Sequence, residues 1–120
     1  MTSPKVFLVG VLALTSCIHS IHPGAFNRVD SQAYDMLVVG QAVIDQARAS
    51  YQAGELPTSV EPLISNMIYA YNVARESWLT YRGVLFTKGV PPDIYQDELT
   101  RNINNLLGAI QAYKAKVKSQ

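Results

Sequence analysis

The sequence predicts an all-α protein, three helices in an up-down-up bundle preceded by a signal peptide and a short flexible tether. Three observations carry this. Apolar residues recur at steps of three and four along three segments of nearly equal length, the spacing of a helix that buries one stripe. Gly54 and Pro57, then Gly89, Pro91 and Pro92, stand between those segments, where helices stop and turn. No long alternation of Val, Ile or Thr suggests a strand.

The chain opens with Lys5 and then an apolar run from Val6 to Leu14. A positive start, a short apolar centre and small residues before a cut are the layout of an export signal. The run is about half the ~20 residues that a spanning helix needs, so an uncleaved membrane anchor fits poorly. The stretch Leu14-Thr15-Ser16-Cys17 resembles the lipobox of bacterial lipoproteins: an aliphatic residue, two small residues, then a cysteine. The resemblance covers residues 1–17 alone. It implies that residues 1–16 are removed and that Cys17 becomes the N-terminus. The cysteine would then carry a diacylglyceryl thioether and usually an N-acyl chain such as palmitate, which places the protein in a bacterial envelope. Ile18 stands where an aspartate often marks retention in the inner membrane. In a host with two membranes the outer one is therefore favoured, with the protein facing the periplasm. Two or more acyl chains anchor stably where one does not. Cys17 is the only cysteine and has no disulfide partner; lipidation gives it a use. The alternative is a chance cysteine in an ordinary cleaved signal, for which Leu14 is a poor residue three before the cut.

Removal of residues 1–16 leaves 104 of the 120 residues, one small domain. Without Lys5, nine Lys and Arg face nine Asp and Glu, and that balance gives no reason to expect nucleic acid as a partner. Residues 17–28 read as the lipidated cysteine and a tether, with no helical period and with Pro23-Gly24 as a breaker. The only histidines, His19 and His22, fall in this tether. A pair three apart has the spacing to grip a metal, but no third ligand is held nearby. They are read as solvated linker residues, with no metal or other cofactor expected.

The bundle is expected over residues 29–120. Its first helix spans about 30–53, with Val29, Ala33, Met36, Gly40, Val43 and Ala47 on the stripe and Leu37, Ile44 and Tyr51 beside it. Asp30 or Ser31 is a candidate N-cap, and Gly54 sits where a C-cap glycine belongs. Ala33, Gly40 and Ala47, seven apart, form a line of small residues suited to close approach within the bundle, or else to a dimer seam. The second helix is expected over about 59–86. Thr58-Ser59-Val60-Glu61 suggests a capping box, and Pro62 falls in the first turn, where its missing N–H costs little. The stripe Val60, Ile64, Met67, Tyr71, Ala74, Trp78, Tyr81, Leu85 is unbroken, and Trp78 is expected to be largely buried at its centre. The third helix, about 92–118, carries Tyr95, Leu99, Ile103, Leu106, Ile110, Tyr113 and Val117. Asp93, Asp97 and Glu98 lie near the positive end of its dipole and Lys114, Lys116 and Lys118 near the negative end. Helices of roughly 23–28 residues are ~35–42 Å long, and short loops between equal helices make antiparallel neighbours.

The segment read as the folded domain has no histidine and no cysteine. Cys–His and Ser–His–Asp catalysis and nearly all zinc, copper and haem sites need one or both. The glycines are scattered and form no phosphate loop. The carboxylates that remain, Asp30, Asp35 and Asp45 on the first helix and Asp93, Asp97 and Glu98 on the third, do not form a pair opposed across a cleft. A non-enzymatic role is expected. Tyr71, Trp78, Tyr81, Tyr95 and Tyr113 fall on core stripes, whereas Tyr34, Tyr51 and Tyr69 fall beside them. The second helix also carries Tyr69, Val73, Thr80 and Val84 on another face, with Ala70 and Ser77 near it. Folding does not call for that face to be so apolar. Tyr69, Val73 and Val84 are therefore the candidate partner surface. The sequence is read as an envelope-anchored, non-catalytic helical binding or adaptor module for an unidentified protein partner. The alternatives are an inhibitor or immunity lipoprotein acting on an envelope enzyme or a superinfecting phage, and a structural lipoprotein that self-associates.

Cys17→Ala is expected to release the protein from the membrane or to leave the signal uncleaved. Membrane fractionation with a fatty-acid label measures this, and a wild type that takes up no label would sink the lipoprotein reading.

Overall fold

The computed structural model describes residues 23–89 and 92–119. The expected signal peptide, Cys17 and the histidine-bearing part of the tether lie outside the described residues. Three helices, α1 (Arg28–Gln52), α2 (Glu61–Lys88) and α3 (Asp93–Lys118), form an all-α bundle with no strand among the described residues. The start of α1 meets the last third of α2, where Asn27 Nδ2 donates to Tyr81 Oη at 3.0 Å. The end of α1 meets the end of α3, where Val43 and Ser50 share a groove with Tyr113 and Val117. α1 and α3 therefore run in one direction and α2 in the other. The result is elongated, 48 × 29 × 19 Å.

The helix ends show which local rules held. α1 is capped by Asn27, not by Asp30 or Ser31. Asn27 is extended, and its side chain accepts the Asp30 N–H at 2.9 Å, satisfying a donor that the first turn leaves open. Asp30 and Ser31 lie inside the helix and are buried. At the other end Gly54 takes φ 77°, which lets its N–H reach the Tyr51 carbonyl and the Glu55 N–H reach Ser50, each at 3.0 Å. Those bonds close the last turn as a left-handed glycine cap does. The expected capping box at Thr58 does not form. Thr58–Val60 make a single 3-10 turn whose Val60 N–H bonds the Pro57 carbonyl, and α2 starts at Glu61 without a side-chain cap. Val60 is fully buried, so the turn is held by its apolar side chain instead of a hydroxyl. Gly89, at φ 80°, ends α2.

Burial follows the three stripes. Ala33, Leu37, Gly40, Ile44 and Ala47 of α1 face Ile64, Met67, Ala74, Tyr81 and Leu85 of α2 and Leu99, Leu106, Ile110 and Tyr113 of α3. The line of small residues is spent inside the bundle. A Cβ placed on Gly40 would lie 3.1 Å from a Leu106 methyl and 3.5 Å from the Tyr71 ring. Trp78 differs from expectation. It is half-buried, packed against both hydrophobic clusters at their junction, because its ring nitrogen is drawn to a polar group at the edge of the bundle.

The glycines give a stability test. Gly83 and Gly108 lie in helices with open space where a Cβ would go, so each Gly→Ala change should stabilise by about 0.5–1 kcal/mol. Gly40→Val should instead cost about 1–3 kcal/mol through overpacking. Denaturant unfolding of the three variants measures both effects, and a neutral Gly40→Val would contradict the close approach of α3.

Candidate functional site

The predicted partner face lies along a shallow groove between α2 and α3, about 320 Å³ in volume. α2 lines it with Tyr69, Val73, Glu76 and Thr80, and α3 adds Tyr95 and Glu98. The α2 residues are three and four apart, so they share one side of the helix, turned away from the Met67–Ala74–Tyr81 stripe. Tyr69 is 72% exposed, second among the large apolar side chains of the described residues. Val73 is half-buried in the groove, and Val84, also half-buried, continues the same face beyond Thr80 but does not line the groove. Two of the three predicted residues are thus brought together, and the third extends their row.

Two features of this groove were not anticipated. Glu76 and Glu98 give it two carboxylates with no Lys or Arg among the lining residues. Ser77, another lining residue, accepts a hydrogen bond from Asn102 Nδ2, and Asn102 is buried. Asn102 occupies a stripe position, three after Leu99 and four before Leu106. A polar side chain at such a position needs a partner on a facing helix, and that spacing was the available signal.

A second polar constellation sits at the tether end of the bundle. Asp30 is only 1% exposed. Its Oδ1 accepts from Trp78 Nε1 at 2.6 Å and from the Arg82 guanidinium at 3.3 Å, and its Oδ2 accepts from Arg82 at 3.0 Å and from the Phe26 backbone N–H at 2.9 Å. Trp78 and Arg82 are four apart on α2, so both reach the same carboxylate. The guanidinium also lies over the Phe26 ring at 4.8 Å and the Trp78 ring at 5.3 Å, and it donates to the Gly24 carbonyl at 3.4 Å. Residues 24–27 were expected to be free tether. They are instead fastened to α2. Asp30, read from sequence as a cap, is the hub of this latch, and its position three before Ala33 and seven before Leu37 placed it on the buried stripe.

The other carboxylates read from the sequence do not join the Asp30 latch. Asp45 is exposed on α1, and Asp93, Asp97 and Glu98 are exposed in the first turns of α3. Among the described residues no group of three or more His, Cys, Asp or Glu side chains is placed to hold a metal, and no helix is long and apolar enough to cross a membrane. Comparison with protein-family models, with curated proteins and with solved structures returns no match.

The latch is testable by a double-mutant cycle. Asp30→Ala should cost about 1–3 kcal/mol, because it leaves the Trp78 indole N–H without its acceptor and takes the carboxylate from the partly exposed Arg82 guanidinium. Arg82→Ala should be destabilising as well, and the double variant should lose clearly less than the sum of the two. Strict additivity in denaturant unfolding would show that the pair does not act as a unit.

Proposed function

We propose that this chain is a small, non-catalytic adaptor of the bacterial envelope, anchored by lipid at Cys17 and holding a protein partner against the outer face of α2. In a host with two membranes it works from the outer membrane, facing the periplasm. The observation that carries the reading is the exposure of Tyr69 beside the half-buried Val73 at the α2–α3 groove. Tyrosine suits a binding surface because a flat apolar body ends in a hydrogen-bonding hydroxyl. The need of α2 for burial is already met by the stripe through Ile64, Met67, Ala74 and Tyr81. The second face therefore adds nothing to folding in proportion to its apolar area, and such surplus is characteristic of interaction surfaces. The two groove carboxylates favour a partner segment that brings Lys or Arg to the rim and apolar side chains to the centre.

Val73→Lys should change stability by less than about 1 kcal/mol, since the lysine stem can lie along the groove with its ammonium in water. It should abolish recovery of the partner from gently solubilised membranes. Gln111→Lys, on an exposed position of α3, is the matched charge control and should recover the partner as the wild type does. Unfolding by Val73→Lys would show that the face is core, and unimpaired recovery would move the binding surface elsewhere.

A further inference from the structure

Six of the exposed large apolar side chains among the described residues lie along the sides of the helices, and three stand together at one end. Phe86, in the last turn of α2, is 78% exposed, and Ile94, in the first turn of α3, is 66% exposed. Phe26, about half exposed, stands at the start of α1 over Arg82, one turn before Phe86. All three belong to the end of the bundle where the described chain begins. At the opposite end, the loop after α1 and the last turn of α3 carry no such side chain. They bear Glu55, Glu61, Lys114, Lys116 and Lys118. Both ends carry exposed charges, but only this end adds large exposed apolar side chains to them.

The same end is the one nearest the expected anchor. The latch holds Gly24 and Phe26 against Arg82, so only six positions separate Cys17 from Pro23 at the edge of the fold. Six residues span at most roughly 20 Å, less than half the 48 Å length of the bundle. We infer that this end rests on the bilayer, with Phe86 and Ile94 seated among the lipid headgroups and Phe26 beside them. The inference shares the Cys17 anchor with the function proposed above but not the α2–α3 groove. The charges select the type of surface. Arg28 and Lys88 are outnumbered at this end by Asp93, Asp97 and Glu98, so no excess of positive charge calls for anionic lipid. The occupant is a neutral, zwitterionic lipid surface, met by apolar contact. Docked this way the bundle stands with its long axis away from the membrane, and the groove faces sideways into the aqueous space.

The test uses the full chain, made in bacteria with its signal and reconstituted into phosphatidylcholine vesicles. Phe86→Cys, Ile94→Cys and, at the far end, Ser59→Cys each carry a thiol-linked fluorophore. All three positions are exposed, so the fold should persist, and circular dichroism checks it. Docking predicts that vesicles cut iodide quenching severalfold at positions 86 and 94 and expose both to quencher-bearing lipids, alike in low and high salt. Position 59 should remain open to iodide. Equal iodide access at all three positions would overturn the inference. So would shielding that requires anionic lipid and vanishes in salt, or shielding already present without vesicles, which would mark a second copy as the cover. A wild-type Cys17 that itself takes up the fluorophore refutes the anchor and not the docking. Its signal is then subtracted, and saturating vesicles must still shield positions 86 and 94 for the inference to stand.

Discussion

A carboxylate taken out of water must find donors to replace the water it loses, at a cost of several kcal/mol if it does not. Asp30 is in that position, and much of the architecture at one end of the bundle is arranged around it. Its two oxygens receive an indole N–H, a guanidinium and a backbone N–H. Those donors come from α2 and from the segment before α1, so satisfying one side chain fixes the register of two helices and the path of the chain leading into them. Trp78 is pulled to the edge of the core by the same demand, and its ring then covers the junction of the two hydrophobic clusters. Arg82 is left with part of its guanidinium in solvent, its side chain 31% exposed. Its aromatic neighbours shield the rest.

α2 thereby serves three sides at once. One side meets α1 and α3 through the long apolar stripe. A second meets the Asp30 latch through Trp78 and Arg82. The third, through Tyr69 and Val73, borders the groove with α3. Beneath that groove the Asn102–Ser77 hydrogen bond ties α3 to α2 where an all-apolar contact would let the helices slide. The groove wall is therefore held in place by a buried polar contact with directional geometry.

Much of the fold was legible because helical burial is periodic. The stripes through Ile64 to Leu85 and Leu99 to Tyr113 could be read by counting threes and fours, and Gly54 and Gly89 closed their helices as their positions implied. The contacts that periodicity does not carry are polar and long-range. Asp30 meets Arg82 across a separation of 52 residues and Asn102 meets Ser77 across 25. Periodicity reports which residues turn inward but not which of them find each other. Local rules for polar residues at a helix start point to Asp30 as the cap, while the less conspicuous Asn27 caps the helix. The capping box failed for a related reason. Its local preference at Thr58 competed with burial of Val60, and the apolar side chain prevailed. Tyr69 and Val73 could be singled out by their surplus of apolar surface, and Glu76 shares their face of α2, whereas Glu98 across the groove depended on which face α3 turns toward α2.

The latch also determines how the domain answers to mechanical load. A helix pulled by its end unravels one hydrogen bond at a time, and its terminal turn is the weakest part of it. Here a pull from the N-terminal side does not reach the first turn of α1 directly. It arrives first at Gly24 and Phe26, which are fastened to Arg82 and Asp30. Those contacts share the strain and must yield together before α1 can peel. A pull on the N-terminal side would thus be resisted by a clamp joining two helices before any turn of α1 could fray.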